Sequence, residues 1–424
     1  MKVLVIGAGG REHALVWAIR KSARVSEVVC APGNAGISRL ARCVPANLKA
    51  VDDLLRVTSS ENPGLVVVGP ELPLSLGFVD ELHRRGIPAF GPTRKAALLE
   101  SSKVFAKRFM QRHQIPTAAY AVAGNEQEAL QSIDLFHFPL VVKADGLASG
   151  KGVILCETRQ EATEAISGIL GGRLLGSVQS SIVIEEFLTG EEISFLVLTD
   201  GKHVVPLAPA QDHKRIGEGD KGPNTGGMGA YSIDGMLDQE MRDWILHYIA
   251  QPAVDGMAAE GEPFIGVLYA GLMMTARGPM VLEFNARFGD PETQAILSRL
   301  ESDLLPVLED CVEGRLCETQ LQWKPGASAC VIASSAGYPG SYVTGRTIKG
   351  LEEAAKVPGV EIFHSGTGMV NGNFVTEGGR VLGVTAAAST LPDSLSLVYE
   401  ALGRIEFEGM YYRRDIGYRS LRNA

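Results

Sequence analysis

Three polar side chains of complementary chemistry stand two residues apart in the second half of the chain, at Glu283, Asn285 and Arg287. From Val281 onward, apolar residues alternate with Glu283 and Asn285. This alternation predicts a β-strand with the carboxylate and the amide on one face. Oxygen ligands of these kinds suit Mg²⁺, and the guanidinium adds a charged donor fork beside that metal. A solvated edge strand is the simpler interpretation of Glu-x-Asn, but the continuation Arg-Phe-Gly-Asp-Pro-Glu and the motifs below favour a site for concentrated negative charge.

A glycine-rich segment between two apolar strands places lysines where they could meet phosphates. The first strand, at 138–145, carries Lys143; Gly146–Gly152 follows, and a second strand covers Val153–Cys156. The segment is not a Walker P-loop, because the spacing is one residue short, glycine replaces the required Ser or Thr, and a strand comes next. We predict instead a mobile flap that carries Lys151 over a triphosphate.

Two further elements could contact a nucleotide. Ser101–Lys103 begins an amphipathic helix with serine as its N-cap, and Lys103 could be either a solvated first-turn residue or a nucleotide contact. An apolar strand at 181–188 ends in acidic residues, and Glu185 with Glu191 could receive ribose hydroxyls or an adenine amino group. By itself this last signal is weak.

The chain begins with an apolar strand, Lys2–Ile6, and a glycine-rich turn, Gly7–His13, that leads into a helix. Such a turn presents backbone N–H groups at the carboxyl edge of the strand and favours phosphate. A dinucleotide fingerprint would have glycine in place of Glu12 and an acid closing the second strand, so a phosphorylated sugar is a better candidate than NAD. Repeated strand–helix units up to Pro92, including Leu65–Val68, predict a doubly wound parallel sheet.

The segment between about 210 and 314 predicts a long loop followed by paired strands. Residues 210–229 are dense in glycine and charge, and a loop of this length inside a compact domain is usually functional or disordered. Because strands resume on both sides, function is favoured. A helix at about 238–259 precedes a buried strand at 266–274, which we expect to pair with the strand that ends at Asn285. A helix at 291–314 closes the domain.

The sequence after a predicted linker, Trp323–Gly326, indicates a small α+β domain. Strands at 329–334 and 381–386 are followed by a helix at 392–405. We find no separate catalytic constellation there. Arg413–Arg419 is a short basic cluster that we interpret as a surface or interdomain contact.

Length and charge limit the possible classes of protein. The 424 residues suffice for roughly three domains, and the net charge of −9 argues against general nucleic-acid binding, which needs a basic face. Six scattered cysteines without a Cys-x-x-Cys pair predict free thiols in a reducing compartment. The sequence has no apolar run near the roughly 20 residues of a membrane span, and the first strand is too short for a signal peptide. We therefore predict a cytoplasmic protein.

Taken together, the motifs resemble the ATP-grasp ligases and, among them, the phosphoribosylamine–glycine ligase family, also called glycinamide ribonucleotide synthetases. The resemblance covers nearly the whole chain and rests on Gly9–Ala14, Lys143–Gly152, Asp212–Gly229, Glu283–Glu292 and Arg413–Gly417. It implies an N-terminal pre-ATP-grasp domain over residues 1–102, an ATP-grasp domain over 103–322 and an α+β domain over 327–424. Within the ATP-grasp domain, residues from about 120 to 192 would cover the nucleotide.

The resemblance also implies a two-step ligation in purine biosynthesis that uses ATP and Mg²⁺ or Mn²⁺. Glycine's carboxylate would attack the γ-phosphate of ATP to give glycyl phosphate, and the amine of 5-phosphoribosylamine would then displace phosphate. The partners would be small molecules, without nucleic acid or membrane, and the chain a monomer or weak dimer. Many ATP-grasp enzymes carry a further acidic metal ligand on the preceding strand, but Leu268–Met274 has none.

Roles for individual residues follow from the same resemblance. ATP contacts are implied at Lys103, Lys143, Lys151, Glu185, Phe187 and Glu191. The implied metal ligands are Glu283 and Asn285, and catalytic charge is supplied by Arg287, Lys143 and Lys151. Substrate contacts are implied at Gly9, Gly10, Arg11, Asn34, Glu71, Asp212, Lys214 and Asp290.

Two other hypotheses remain open at the level of sequence. The first is another ATP-grasp ligase that joins a different carboxylate to a different amine; the loop at 212–229 favours glycine and phosphoribosylamine over it. The second is a non-catalytic nucleotide-binding protein, which would predict loss of metal or phosphate ligands. The sequence instead retains Glu283, Asn285, Arg287, Lys143 and Lys151.

Overall fold

The computed structural model describes residues 1–147, 152–174 and 180–422. The predicted flap residue Lys151 lies outside the described residues, together with most of the flap. Within those ranges no helix is long and apolar enough to cross a membrane. The six cysteines fall inside them and are free thiols.

Residues before Ser102 form a doubly wound unit around a parallel sheet. Its strands are β1 (Lys2–Gly7), β2 (Glu27–Pro32), β3 (Arg42–Cys43), β4 (Leu65–Val68) and β5 (Ala89–Phe90), and its helices are α1 (Gly10–Ile19), α2 (Val51–Glu61), α3 (Glu71–Ser75), α4 (Phe78–Arg84) and α5 (Leu98–Ser101). The strand order is β3-β2-β1-β4-β5. The apolar runs of β1 and β4 are buried, as expected for parallel strands covered on both faces. The predicted N-terminal fold is confirmed.

The next part of the chain forms a small layer with its own core. It follows α6 (Lys103–Arg112), whose buried Phe109 belongs to a different core, shared with Leu4 and Phe284. The layer contains β6 (Tyr120–Ala123), α7 (Glu126–Ser132), β7 (Leu140–Ala144), β8 (Val153–Cys156), α8 (Arg159–Leu170) and β9 (Ile182–Glu186). The antiparallel strand order is β6-β9-β7-β8, and β7 with β8 frames the predicted flap. Leu140, Ile166 and Ile184 belong to a hydrophobic core confined to this layer.

A second antiparallel sheet carries the Glu283 strand. Residues 191–313 contain β10 (Glu191–Asp200), β11 (Val204–Pro206), β12 (Gln211–Asp212), β13 (Arg215–Gly217), β14 (Lys221–Asn224), β15 (Gly229–Ile233), α9 (Gln239–Ile245), α10 (Gln251–Ala259), β16 (Ile265–Thr275), β17 (Gly278–Asn285), α11 (Glu292–Arg299) and α12 (Leu304–Glu313). The sheet order is β11-β10-β16-β17, so the predicted pairing of β16 with β17 is confirmed. Leu4 of the N-terminal sheet shares a core with Leu268 and Phe284, which fixes these two sheets against each other.

The remainder forms the α+β part at the end of the chain. Its elements are β18 (Ala327–Ser334), α13 (Leu351–Ala354), β19 (Val360–His364), β20 (Thr367–Val370), β21 (Asn373–Thr376), β22 (Arg380–Ala388), α14 (Leu391–Leu402) and α15 (Tyr418–Arg422). The sheet order is β12-β15-β18-β22-β19. Two strands of this sheet, β12 and β15, therefore come from the central part of the sequence.

About half of the segment predicted as a loop at 210–229 is β-structure. β13 and β14 pair as a hairpin, turning at Gly219 and Asp220, where φ is +65° and +55°. β12 pairs with β15, and β15 with β18. The loop prediction was wrong because β14 is exposed, so no alternation of apolar residues marks it.

Two predicted helices are also interrupted. The helix expected at 291–314 is α11 and α12, since Asp303 accepts a hydrogen bond from the N–H of Leu305 and caps α12. Leu300 leaves the helix and pairs with Trp323. The helix expected at 238–259 is α9 and α10, joined by a π-helical turn at Leu246–Ala250.

Candidate active site

The predicted metal ligands lie on β17, as the alternating pattern indicated. Glu283 pairs across the sheet with Gly271, and Asn285 with Tyr269. Because Gly271 has no side chain, the neighbouring strand offers no oxygen at that position. Over the described ranges no group of three or more His, Cys, Asp and Glu could hold a metal ion. The chain thus offers one carboxylate and one amide oxygen here, a set that fits Mg²⁺ when phosphates and water complete the shell.

Lysines surround the carboxylate of Glu283, whose side chain is 37% exposed. Burial acts to raise the pKa of Glu283, but Lys214, Lys103 and Lys143 together hold that pKa below its ordinary value. Lys214 Nζ lies 3.9 Å from Glu283 Oε1 and also pairs with Glu192. Its own pKa is raised, because these two acids outweigh the effect of burial. The carboxylate therefore stays charged and available to a cation.

A buried ion triad fixes the predicted nucleotide residues. Glu185 Oε2 lies 3.0 Å from Lys143 Nζ and 3.1 Å from Lys107 Nζ, and Lys143 Nζ also donates to the carbonyl of Leu282 on β17. Glu185 Oε1 has no hydrogen-bond partner within the described residues. Of the other predicted contacts, Phe187 and Glu191 are exposed. The triad therefore keeps one buried acceptor oxygen that is not yet hydrogen-bonded within the described residues.

Lys107 was missed at the level of sequence. Burial lowers its pKa to about 8, although Glu185 opposes that shift. The signal was present: Lys107 stands one helical turn after Lys103 and is flanked by Ala106 and Phe109 on the apolar side of α6. A lysine on a buried helix face requires a partner.

Lys103 connects α6 to the base of the predicted flap. Its Nζ donates to the carbonyl of Gly146 at 3.2 Å. Ser102 is the N-cap of α6, as predicted, and accepts from the N–H of Phe105. Asp145 then accepts from the Ser102 hydroxyl and the N–H of Val104. The start of this helix and the start of the flap are therefore held together.

Arg287 lies directly after β17 and is held by four oxygens. Its Nη2 lies 3.0 Å from Glu100 Oε1 and donates to Asn285 Oδ1. Its Nη1 donates to the carbonyl of Phe288, and its Nε lies 3.5 Å from Glu71 Oε2. Glu100 and Glu71 raise its pKa despite burial. Nε has no hydrogen-bond acceptor among the residues that the structure describes.

A second acidic group lies where β12 meets α11. Burial and the neighbouring Glu292 raise the pKa of Asp212 well above its usual value. Glu292 Oε1 accepts from the hydroxyls of Tyr269 and Ser194. Asp212 Oδ1 has no partner in the described parts of the chain. Glu292 was given no role from the sequence, although it closes the Asp-Pro-Glu motif.

Three of the remaining predicted substrate residues line a cleft of about 340 Å³ between the N-terminal and C-terminal parts, whereas Gly10, Arg11 and Glu71 do not line it. Gly9, Asn34 and Asp290 line it together with Ser365, Thr367 and Arg380. Arg380 Nη2 lies 3.0 Å from Asp290 Oδ2. Burial acts to raise the pKa of Asp290, but Arg380 and Arg11 lower it.

Gly10 packs closely against Ser365, one of the residues that line the cleft. A Cβ atom there would lie 2.6 Å from Ser365 Oγ and 2.7 Å from Gln294 Nε2. Across the described ranges, Ser365 Oγ and Gln294 Oε1 lack hydrogen-bond partners. The C-terminal part therefore contributes polar groups that the sequence did not reveal.

Glu12 occupies the first βα turn. Its Oε2 accepts from the N–H of Gly9, and its Oε1 from Arg11. A Cβ atom on Gly7 or Gly69 would lie within 2.4 Å or 2.6 Å of Glu12 Cγ, respectively. A carboxylate thus fills the position where a dinucleotide fold binds phosphate, which agrees with the preference against NAD. Arg11 Nη1 reaches the carbonyl of Phe288 next to Arg287.

Comparisons with known proteins agree with this geometry. Family models described as "Phosphoribosylglycinamide synthetase" match residues 1–100 (N domain), 101–293 (ATP-grasp (A) domain) and 328–419 (C domain). A phosphoribosylamine–glycine ligase of Xanthomonas axonopodis pv. citri is 49% identical over 425 residues, covering 99% of this chain and 98% of the relative.

Solved structures give the same result. The crystal structure of phosphoribosylamine–glycine ligase from Thermotoga maritima has a TM-score of 0.87 at 34% identity, covering 98% of this chain and 100% of that one. The biotin carboxylase domain of 2-oxoglutarate carboxylase from Hydrogenobacter thermophilus has a TM-score of 0.74 at 16% identity, covering 97% and 91%, a likeness of fold. The chain belongs to the phosphoribosylglycinamide synthetase family, the phosphoribosylamine–glycine ligases, and its central part has the ATP-grasp fold.

Proposed function

We propose that this chain ligates glycine to 5-phosphoribosylamine at the expense of ATP, through glycyl phosphate, to give glycinamide ribonucleotide, ADP and phosphate. The observation that carries the proposal is the position of the segment Glu283–Gln294. Its first residues face the lysines of the nucleotide side, and Arg287 follows them. Asp290 then lines the cleft between the N-terminal and C-terminal parts, and the buried Gln294 donates a hydrogen bond to Asp290. One short segment therefore connects a phosphate site with an amine site.

In the first step, a carboxylate oxygen of glycine attacks the γ-phosphorus of ATP, and ADP leaves. Phosphoryl transfer of this kind depends on positioning and charge neutralisation more than on covalent help from the protein. We assign Lys103, Lys143 and Lys151 to the phosphates, and Glu185, Phe187 and Glu191 to adenine and ribose. The triad with Lys107 supports this, because Glu185 and Lys143 are already fixed while Glu185 Oε1 is free to accept.

A divalent cation at Glu283 and Asn285 would supply further neutralisation of phosphate charge. We favour Mg²⁺ or Mn²⁺, since both donors are hard oxygens. In the structure Asn285 Oδ1 instead accepts a hydrogen bond from Arg287. An amide oxygen has a second lone pair, so Asn285 Oδ1 would still have a lone pair for the cation.

In the second step, the amine nitrogen attacks the acyl carbon, phosphate leaves, and the nitrogen loses a proton. We assign Arg287 to the phosphoryl group of the intermediate. Asp212 and Lys214 would contact glycine or the attacking amine. The unpartnered oxygen of Asp212 supports this, because a buried acceptor without a donor is costly unless a ligand provides one.

The cleft between the N-terminal and C-terminal parts would hold 5-phosphoribosylamine. We assign Gly9, Gly10, Arg11, Asn34, Glu71 and Asp290 to this substrate and add Ser365 and Gln294 from the structure. Their unpaired polar atoms suit a ligand rich in hydroxyl groups. The domain limits at 102, 322 and 327, the cytoplasmic location and the monomeric or weakly dimeric state remain predictions.

ADP release tests the proposal directly. The assay contains MgATP and glycine, with or without 5-phosphoribosylamine formed in place from ribose 5-phosphate and ammonia. We expect turnover to require both substrates and to yield the glycinamide product. ADP that appears only with another amino acid or amine would contradict the substrate assignment, and no ADP with any pair would contradict the ligase.

A further inference from the structure

Glu100, at the end of α5, contacts the segment after β17 through both of its carboxylate oxygens. Oε1 lies 3.0 Å from Arg287 Nη2, and its side chain is 7% exposed. Oε2 accepts a hydrogen bond of 2.7 Å from the backbone N–H of Ala286. One carboxylate therefore fixes the main chain next to Asn285 and the guanidinium of Arg287 together.

The contacts of Arg287 show why a charged partner is needed there. Its other close oxygens are the amide of Asn285, at 3.3 Å, and the carbonyl of Phe288, at 3.2 Å, both weak neutral acceptors. Glu71 is 3.5 Å from Nε, longer than the pair with Glu100. Glu100 is therefore the principal charged contact that keeps the guanidinium in place.

We propose that Glu100 is a positioning residue, which orients Arg287 toward the acyl phosphate through its ion pair and its hydrogen bond to Ala286. This inference rests on the proposed function. Glu100 would not touch a substrate, because both of its oxygens are already used. It would act by keeping Arg287 from rotating away as charge develops on the phosphoryl group.

The matched variants are Glu100→Gln, which removes the charge but keeps the shape, and Glu309→Gln as a control. Glu309 has a similarly buried side chain, 9% exposed, and pairs with Arg24 at 2.8 Å. For Glu100→Gln we expect kcat to fall about tenfold or more, with the KM for ATP nearly unchanged. Glu309→Gln should leave both constants at the wild-type values.

The readout that separates positioning from folding is the ratio of glycinamide ribonucleotide formed to ADP released. Misfolding lowers the fraction of active enzyme, so product and ADP fall together and the ratio is kept. A misplaced Arg287 lets the acyl phosphate escape to water, so the ratio falls. An unchanged ratio in Glu100→Gln would overturn the inference.

A double-mutant cycle with Arg287→Lys completes the test. If Glu100 acts through Arg287, the double variant should lose little more than Arg287→Lys does. Additive losses would overturn the inference. If the wild-type enzyme forms no amide from glycine and phosphoribosylamine, the proposed function itself is wrong. If the wild type is active and Glu100→Gln has the same kcat and the same product ratio, only the role of Glu100 is wrong and the proposed function stands.

Discussion

Arg287 and Arg413 both pair with two acidic residues, but they differ in how completely their donors are used. The side chain of Arg413 is fully buried. Its Nε and Nη2 donate to Asp415, and its Nη1 to Asp220 and the carbonyl of Arg215. Arg287 is 19% exposed, and its Nε lacks a hydrogen-bond acceptor within the described residues. A guanidinium with satisfied donors holds structure together, whereas one with an unpaired donor keeps a hydrogen bond that a ligand can complete.

The surroundings of Arg413 and of the cleft also differ in how completely their polar groups are hydrogen-bonded. Arg413 ties the end of the chain to the hairpin of β13 and β14, which begins after Lys214. The basic cluster was predicted to be a surface or interdomain contact; at Arg413 the contact is buried and reaches Arg215 and Asp220. Around the cleft, Gln294 and Ser365 keep polar atoms without partners in the described chain. Unpaired buried groups of this kind mark places that a ligand can complete.

Replacing Arg413 should have the largest effect on stability. Arg413→Ala leaves Asp220 and Asp415 without their buried partner, which costs about 3–5 kcal/mol. Urea unfolding should show this loss, while Arg414→Ala, at the exposed neighbouring position, should stay within about 0.5 kcal/mol of wild type. Equal stability of the two variants would show that the Arg413 network is not a structural contact.

Arg287→Lys should show the opposite pattern. Lysine keeps the charge but lacks the planar fork that binds several oxygens at once, so kcat should fall about 10²–10³-fold. The free energy of unfolding should change by only about 1 kcal/mol, because Glu100 keeps a cationic partner and no buried charge is left unpaired. A variant that unfolds much more easily but retains its turnover would place Arg287 in the same class as Arg413.

Local patterns were sufficient to predict the elements that carry the site. Alternation located β17 and put Glu283 and Asn285 on it, and a serine before a charged amphipathic stretch located the cap of α6. The apolar run at Leu65–Val68 was found with its exact bounds. Each of these signals lies within a few residues of the feature that it predicts.

Features that depend on distant residues could not be predicted in this way. Glu100 and Arg287 are joined across nearly the whole central part of the chain, and no local pattern relates them. The hairpin at β13 and β14 is polar because it is exposed, so hydrophobic periodicity does not mark it. The partnership of Lys107 with Glu185 likewise appears only when α6 and β9 pack together.

The histidine pair between the N-terminal and C-terminal parts should behave like a structural contact. His13 Nδ1 accepts from the N–H of His364, and burial lowers the pKa of His13 to about 3 and that of His364 to about 4. Below pH 6.5 the unfolded chain therefore takes up protons that the folded chain does not. The free energy of unfolding should fall as the pH drops, by about 2 kcal/mol for one such histidine at pH 5.

Unfolding of His13→Gln at pH 7 and pH 5 checks this sign. The loss of unfolding free energy between pH 7 and pH 5 should be about 2 kcal/mol smaller in this variant than in wild type. The control is His137→Gln, which replaces an exposed histidine and should keep the wild-type dependence on pH. A His13→Gln variant with the full wild-type dependence would mean that other groups cause it.

The smallest expected effect distinguishes the N-cap of α6 from the N-cap of α8. Ser102 caps α6 next to Lys103, and Thr158 caps α8 by accepting from the N–H of Glu161. Each change to alanine should cost about 1 kcal/mol of unfolding free energy. Only Ser102→Ala should also raise the KM for ATP, because the serine hydroxyl joins α6 to Asp145 at the base of the flap and so helps to place Lys103. If Thr158→Ala raised the KM for ATP equally, the effect would come from lower stability of this part of the protein. The Ser102 cap would then be a structural contact, like Arg413.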